Sequence, residues 1–136
     1  MAIRKALFVL AIASVALSAP APIAAQCTAP ASLTGKWKGD DGGTYRIRAV
    51  GNEVWWIGTS ADGGKSWTNV YKGNRVGQQI SGRWADIVPA NGGNGVMTLT
   101  VVNNGLIKKA SESGSPFGGT KWGRVVGCDD MGLNPV

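Results

Sequence analysis

The sequence has no histidine and only two cysteines among its 136 residues. Without histidine, His-based metal sites and Ser-His-Asp hydrolysis are excluded. Cys27 and Cys128 form no Cys-x-x-Cys pair, and a disulfide suits them better than a nucleophilic role. Carboxylates are few, eight against 14 lysines and arginines, and glycosidase chemistry would need two of them facing a sugar cleft. Asp40, Asp41 and Asp62 fall in turn sequences, where aspartate is favoured for local hydrogen bonds. Asp129 and Asp130 fall in the tail, so Glu53 and Asp86 are the pair that one barrel end could unite. The Asp40-Asp41 loop is too short, and lacks the spaced ligands, for a calcium loop. No enzyme activity, cofactor or metal is expected. Helical periodicity is absent too, and 21 glycines argue against long helices.

Long apolar runs are limited to one, at 6–19, too short for a membrane span of about 20 residues. Arg4 and Lys5 precede it and a small-residue stretch at 20–25 follows, which reads as a signal peptide over 1–25. The remaining chain divides into a tether at 26–34, a β-barrel domain at 35–128 and a tail at 129–136. Gln26 is not the small residue that a lipid-accepting cysteine requires before it. The expected location is periplasmic or secreted, with no membrane span after cleavage. Export places Cys27 and Cys128 in an oxidising compartment, where one disulfide would tie the chain ends together. For a loop of this length, the chain-entropy model gives about 4–5 kcal/mol.

What the chain does have is short β-prone runs punctuated by Gly, Asn and Asp. Strands are expected at 35–39, 44–50, 53–60, 66–72, 75–87, 96–102, 106–111 and 121–126. Gly51-Asn52 and Gly73-Asn74 read as tight two-residue hairpin turns. The fold class is therefore all-β, an antiparallel up-and-down meander of about eight strands, most economically closed into a barrel. Alternation turns Tyr45, Ile47 and Ala49 inward and Arg46 and Arg48 to water. It also groups Val76, Ile80, Gly82 and Trp84 on one face. Trp55 and Trp56 are adjacent in a strand and must face opposite ways, so one is core and the other covers the outside.

The hairpin 53–72 carries Ser60-x-Asp62-x-Gly64-x-x-Trp67, which resembles the Asp-box of sialidases and related β-propellers. That resemblance implies a structural turn in which the Asp62 carboxylate binds loop amides and Trp67 packs beneath. Leu33-Thr-Gly-Lys-Trp37, with Asp40, Gly42 and Ile47, resembles the first strand and hairpin of avidin and streptavidin. It implies an eight-stranded calycin-type barrel that binds a small ligand. The residues that hold biotin's ureido group would fall on Gly39 and Gly43, which have no side chain, so biotin itself is not the expected ligand. Asp-Gly-Gly-Thr-Tyr-Arg-Ile-Arg48, Val-Trp-Trp-Ile-Gly58 and Gly-Arg-Trp-Ala-Asp86 are similar to a group of small secreted bacterial β-proteins.

Six tryptophans are many for so small a barrel, and core filling is the default role for most of them. Two functional readings follow. In the first, a lipocalin- or avidin-type barrel binds a small ligand in an interior lined by Tyr45, Trp56, Trp67, Tyr71 and Trp84. In the second, the outward member of the Trp55/Trp56 pair joins Arg46 and Arg48 in a surface patch. That patch would contact a protein or an envelope polysaccharide. Arg46, Arg48, Lys72, Arg75 and Arg83 share an outer stripe suited to anionic surfaces; export makes nucleic acid an unexpected partner.

Overall fold

The computed structural model describes residues 31–126, so the leader 1–25, Cys27, Cys128 and the tail lie outside the described residues. Eight strands follow one another: β1 (Gly35–Gly39), β2 (Thr44–Val50), β3 (Glu53–Thr59), β4 (Thr68–Val76), β5 (Gln79–Val88), β6 (Asn94–Asn103), β7 (Leu106–Gly114) and β8 (Lys121–Arg124). Each pairs antiparallel with the next, and β8 returns to pair with β1, closing the barrel in meander order. Closure gives every strand a neighbour on both sides. The expected fold class is the observed one.

Tight turns set the registers. Gly51 has φ +57° and Gly77 φ +60°, the positive φ that a two-residue turn with glycine at its first central position demands. The second turn corrects the sequence reading. Gly73-Asn74 lies inside β4, and the chain reverses four residues later at Gly77-Gln78. The cause is packing. With this register Gly73 stands opposite Gly82, and a Cβ at Gly73 would lie 2.6 Å from the Tyr71 hydroxyl oxygen. The missing side chain makes room for the Tyr71 phenol, which donates towards the carbonyls of Ile80 and Met97 at 3.2 and 3.1 Å. Val76, expected inward with Ile80, instead ends β4 and is the most exposed large apolar side chain described, at 81 %.

Alternation otherwise holds, and the inward residues form one core. Trp37, Tyr45, Trp122, Tyr71, Leu99, Met97 and Ile107 are essentially inaccessible to water. At one end the β1–β2, β3–β4, β5–β6 and β7–β8 connections form a mouth. The chain enters β1 and leaves β8 at the opposite end. There the Arg124 guanidinium donates to the carbonyls of Ser32, Thr34 and Asn104 and lies over the Trp37 ring, 4.7 Å from its centroid.

Candidate functional site

The five aromatics expected to line a ligand cavity divide into two groups. Tyr45, Trp56, Tyr71 and Trp84 are buried and pack mainly on one another and on two further rings. Trp56 stacks on Tyr71 at 4.6 Å and meets Tyr45 edge-on at 5.2 Å. Trp122 closes on Tyr45 and Trp56 at 5.7 and 5.2 Å. Phe117, from the β7–β8 connection, stands edge-on to Trp84 at 4.7 Å. These rings fill the middle of the barrel. Burial, reinforced for Tyr45 by the neighbouring Asp41 carboxylate, pushes both phenols well above their ordinary pKa. Trp67 alone of the five is half-buried, at the mouth.

The mouth holds a cavity of about 220 Å³ lined by Asp41, Trp67, Asn69, Trp84, Asp86 and Phe117, among others. Local chemistry fixes each wall. Asp41 accepts hydrogen bonds from the Gly43 amide and the Tyr45 hydroxyl. Asp86 accepts from the Gly93 amide at 2.8 Å. The buried Asn69 carbonyl oxygen takes the Trp56 indole N–H at 2.9 Å. The Trp84 indole nitrogen is buried without a hydrogen-bond partner. Glycine makes the approach possible at Gly43, where a Cβ would stand 2.3 Å from the Trp67 ring. A Cβ at Gly39 would meet Asp41 at 2.4 Å and Tyr45 at 2.7 Å. The two positions that the avidin resemblance implied for a ureido group are thus filled by Asp41, Tyr45 and Trp67.

The Asp-box-like turn sits beside this mouth. Asp62 accepts from the amides of Lys65 and Ser66 at 3.0 and 3.2 Å, and from the hydroxyls of Ser60 and Ser66. Those hydroxyls, Ser60 first, and the amides hold its carboxyl far below the usual carboxylate range. Gly63 and Gly64 supply two successive positive φ angles, and the buried Ser60 hydroxyl accepts the Trp67 amide.

On the outer wall the ambiguity of Trp55 and Trp56 resolves. Trp56 is inside at 4 % exposure and Trp55 outside at 43 %. Trp55 is held in place: its indole N–H donates to Glu53 at 3.3 Å, and Lys72 lies over the ring at 4.5 Å. Lys72 also pairs with Glu53 at 3.1 Å, and these bonds keep the Glu53 carboxyl below its ordinary pKa. Arg48 stands directly across from Trp55 on β2, whereas Arg46 opposes Ile57. The cation on the indole is therefore Lys72, from the strand on the other side.

Cross-strand register extends the patch into two adjacent rows. One runs Lys36, Arg46, Ile57, Val70, Ala85, Asn94; the other runs Arg48, Trp55, Lys72, Arg83, Val96. Five cations and an aromatic ring share these rows with no carboxylate. A surface groove of about 320 Å³ runs past Trp55, Val70, Lys72, Arg83 and Asn94. Arg75, expected on the same outer stripe, is not part of it: it is in phase with the inward Tyr71 and Gly73 and pairs with the buried Ile80, at the barrel end where its guanidinium donates to the Gly77 carbonyl.

Glu53 and Asp86 do not come together. Glu53 begins β3 at the end carrying the Gly51-Asn52 turn, whereas Asp86 pairs with Asn69 near the mouth. Antiparallel alternation puts them at opposite ends. Sequence reasoning missed Asn69 and Phe117. For Phe117 a signal was available, since an isolated aromatic in a Gly/Ser/Pro connection needs somewhere to bury its ring.

Comparison of the chain with protein-family models, with curated proteins and with solved structures finds no match in any of the three. The eight-stranded antiparallel barrel is the architecture that the avidin resemblance implied, and the likeness rests on that architecture alone.

Proposed function

We propose that this protein is a non-enzymatic binding module whose outer wall, across β2–β6, engages an anionic polysaccharide of the cell envelope or its surroundings. One observation carries the reading: the register lays Lys36, Arg46, Arg48, Lys72 and Arg83 around an exposed Trp55, in two rows without a carboxylate. Strand spacing puts neighbouring side chains of a row roughly 5 Å apart, so Arg48, Trp55, Lys72 and Arg83 stand in succession along one row, with Arg46 and Lys36 beside them on the other. An indole face stacks on the apolar face of a sugar ring, and cations match its acidic groups. The next row runs Glu53, Asn74, Ser81, Thr98; Glu53 is taken up by Lys72 and Trp55, and the three neutral side chains add hydrogen-bonding groups for hydroxyls. Glu53 and Lys72 hold Trp55 ready, which lowers the ordering cost of binding. The leader read at 1–25 would deliver the domain to such polymers. Against a ligand in the barrel interior stands the mutual packing of Tyr45, Trp56, Tyr71 and Trp84.

Calorimetric titration tests this with polygalacturonate, neutral dextran, duplex DNA and anionic phospholipid vesicles at several salt concentrations. Saturable, salt-weakened binding of polygalacturonate without binding of dextran is expected. Trp55→Ala and the pair Arg48→Ala with Arg83→Ala should each weaken it about tenfold. Tighter binding to DNA or vesicles than to polygalacturonate would overturn the reading, as would variants that bind like wild type.

A further inference from the structure

The mouth cavity is separate from the cationic wall and has the opposite electrostatic character. We infer that it is a binding site for a small quaternary ammonium compound. Asp41 and Asp86 both line it, and among the described residues neither carboxylate has an ion-pair partner. Two cations near the mouth are engaged elsewhere. Lys38 bonds the Gly42 carbonyl and the Thr44 hydroxyl, and Lys109 pairs with Glu112 at 3.0 Å. The protein's own donors to these carboxylates are two amides and one phenol, so among the described residues both border the concave space without an ion-pair partner.

The other walls are aromatic. Trp67, Trp84 and Phe117 border the same space, and an alkylated ammonium is attracted both to ring faces and to carboxylates. The volume of about 220 Å³ has room for about seven water-sized groups. That matches a headgroup such as choline, a quaternary nitrogen with one hydroxyl on a short arm, and is too small for a large amphiphile's body.

The full chain is titrated with choline, and in parallel with 3,3-dimethyl-1-butanol, which has the same shape without the charge. Saturable choline binding with at least tenfold weaker binding of the neutral alcohol is expected. Asp86→Asn should weaken choline about tenfold and leave the alcohol and polygalacturonate unchanged, so the result is independent of the outer-wall reading. Trp67→Leu, which touches neither carboxylate's hydrogen bonds, should weaken choline by a similar factor. Phosphatidylcholine vesicles separate the two sources of the group. Binding of free choline alone assigns a soluble ligand, and co-sedimentation with vesicles assigns a lipid headgroup. Absence of saturable choline binding by folded protein, equal binding of the alcohol, or an Asp86→Asn variant that binds as wild type would overturn the site.

Discussion

Phe117 stands edge-on to Trp84, with ring centroids 4.7 Å apart and planes at 81°. A residue from a connection thereby joins a core otherwise built mainly by strands. Its anchors are a Phe117 amide donating to Glu112 and a Lys109 ammonium bonding the Phe117 carbonyl. At 6 % exposure the ring is core, and truncating a buried phenylalanine costs about 3–5 kcal/mol. Phe117→Ala should therefore lower the unfolding free energy by about that amount, with the denaturant slope unchanged. A loss under about 1 kcal/mol would mean that the connection collapses over the gap and that the ring contributes little.

Gly43 and Trp67 make the second prediction. The Trp67 ring lies where a Gly43 side chain would be, 2.3 Å from the ideal Cβ position. Gly43→Ser must push the indole outward, and overpacking of this kind costs about 1–3 kcal/mol. The expected outcome is a lower denaturation midpoint with red-shifted tryptophan emission, as Trp67 gains contact with water. Unchanged emission and midpoint would show that the indole is not seated against Gly43.

Much of the barrel was legible in the chain because its signals are local. The Gly51-Asn52 turn and the alternation of Tyr45, Arg46, Ile47 and Arg48 depend on near neighbours, and both were read correctly. The turn after β4 was misread because Gly73-Asn74 and Gly77-Gln78 carry similar turn chemistry. What decides between them is tertiary, the space that Tyr71 needs beside Gly73 and Ile80. The outer cations were readable as a stripe, but the partner of Trp55 was not. Arg48 and Lys72 both flank it across strands, and only Lys72 is also drawn in by Glu53. The mouth was the least legible part, since Asp41, Asn69, Asp86 and Phe117 come from four separate stretches that closure brings together.

Acid should weaken the fold, and the sign follows from three carboxylates. Partial burial pushes the Asp40 carboxyl up, but Thr120 and Lys121 donate to it and leave it below its ordinary value. Asp62 is held lower by Ser60 and Ser66, and Glu112 by Lys109 and the Phe117 amide. A group whose pKa is depressed in the folded state stabilises above its unfolded pKa and loses that contribution as pH falls through the folded one. At low pH the unfolded chain binds more protons than the native chain, so stability rises with pH there. Denaturation midpoints should be level above about pH 5 and fall steadily below it. Asp40→Asn combined with Asp62→Asn should flatten the acid limb. An acid limb identical to wild type would remove these carboxylates from the account.

Arg124 secures the end of the barrel opposite the mouth, and its replacement gives the most direct test of closure. Its guanidinium donates to Asn104 at 2.7 Å, Thr34 at 3.0 Å and Ser32 at 2.6 Å, all backbone carbonyls, with the Trp37 face beneath. Three segments distant in sequence thus meet on one planar group: the approach to β1, the β6–β7 turn and β8. Burial lowers the pKa of the guanidinium from its ordinary value, yet a group that starts so high remains charged at neutral pH. Arg124→Ala removes the donors of three hydrogen bonds from a charged group and the cover over the buried Trp37 ring, at a cost on the order of 3 kcal/mol. Arg124→Lys should not restore the loss, because a single ammonium cannot span three carbonyls in the geometry of a planar fork. Hydrogen exchange should report the change at the Val125 amide, which bonds the Lys36 carbonyl, and at the Arg124 amide, which bonds Gly105. Faster exchange there than at the β4–β5 amides would show that β8 loosens from its neighbours first. Full recovery of stability by lysine would show that charge alone, rather than the fork, holds this end shut.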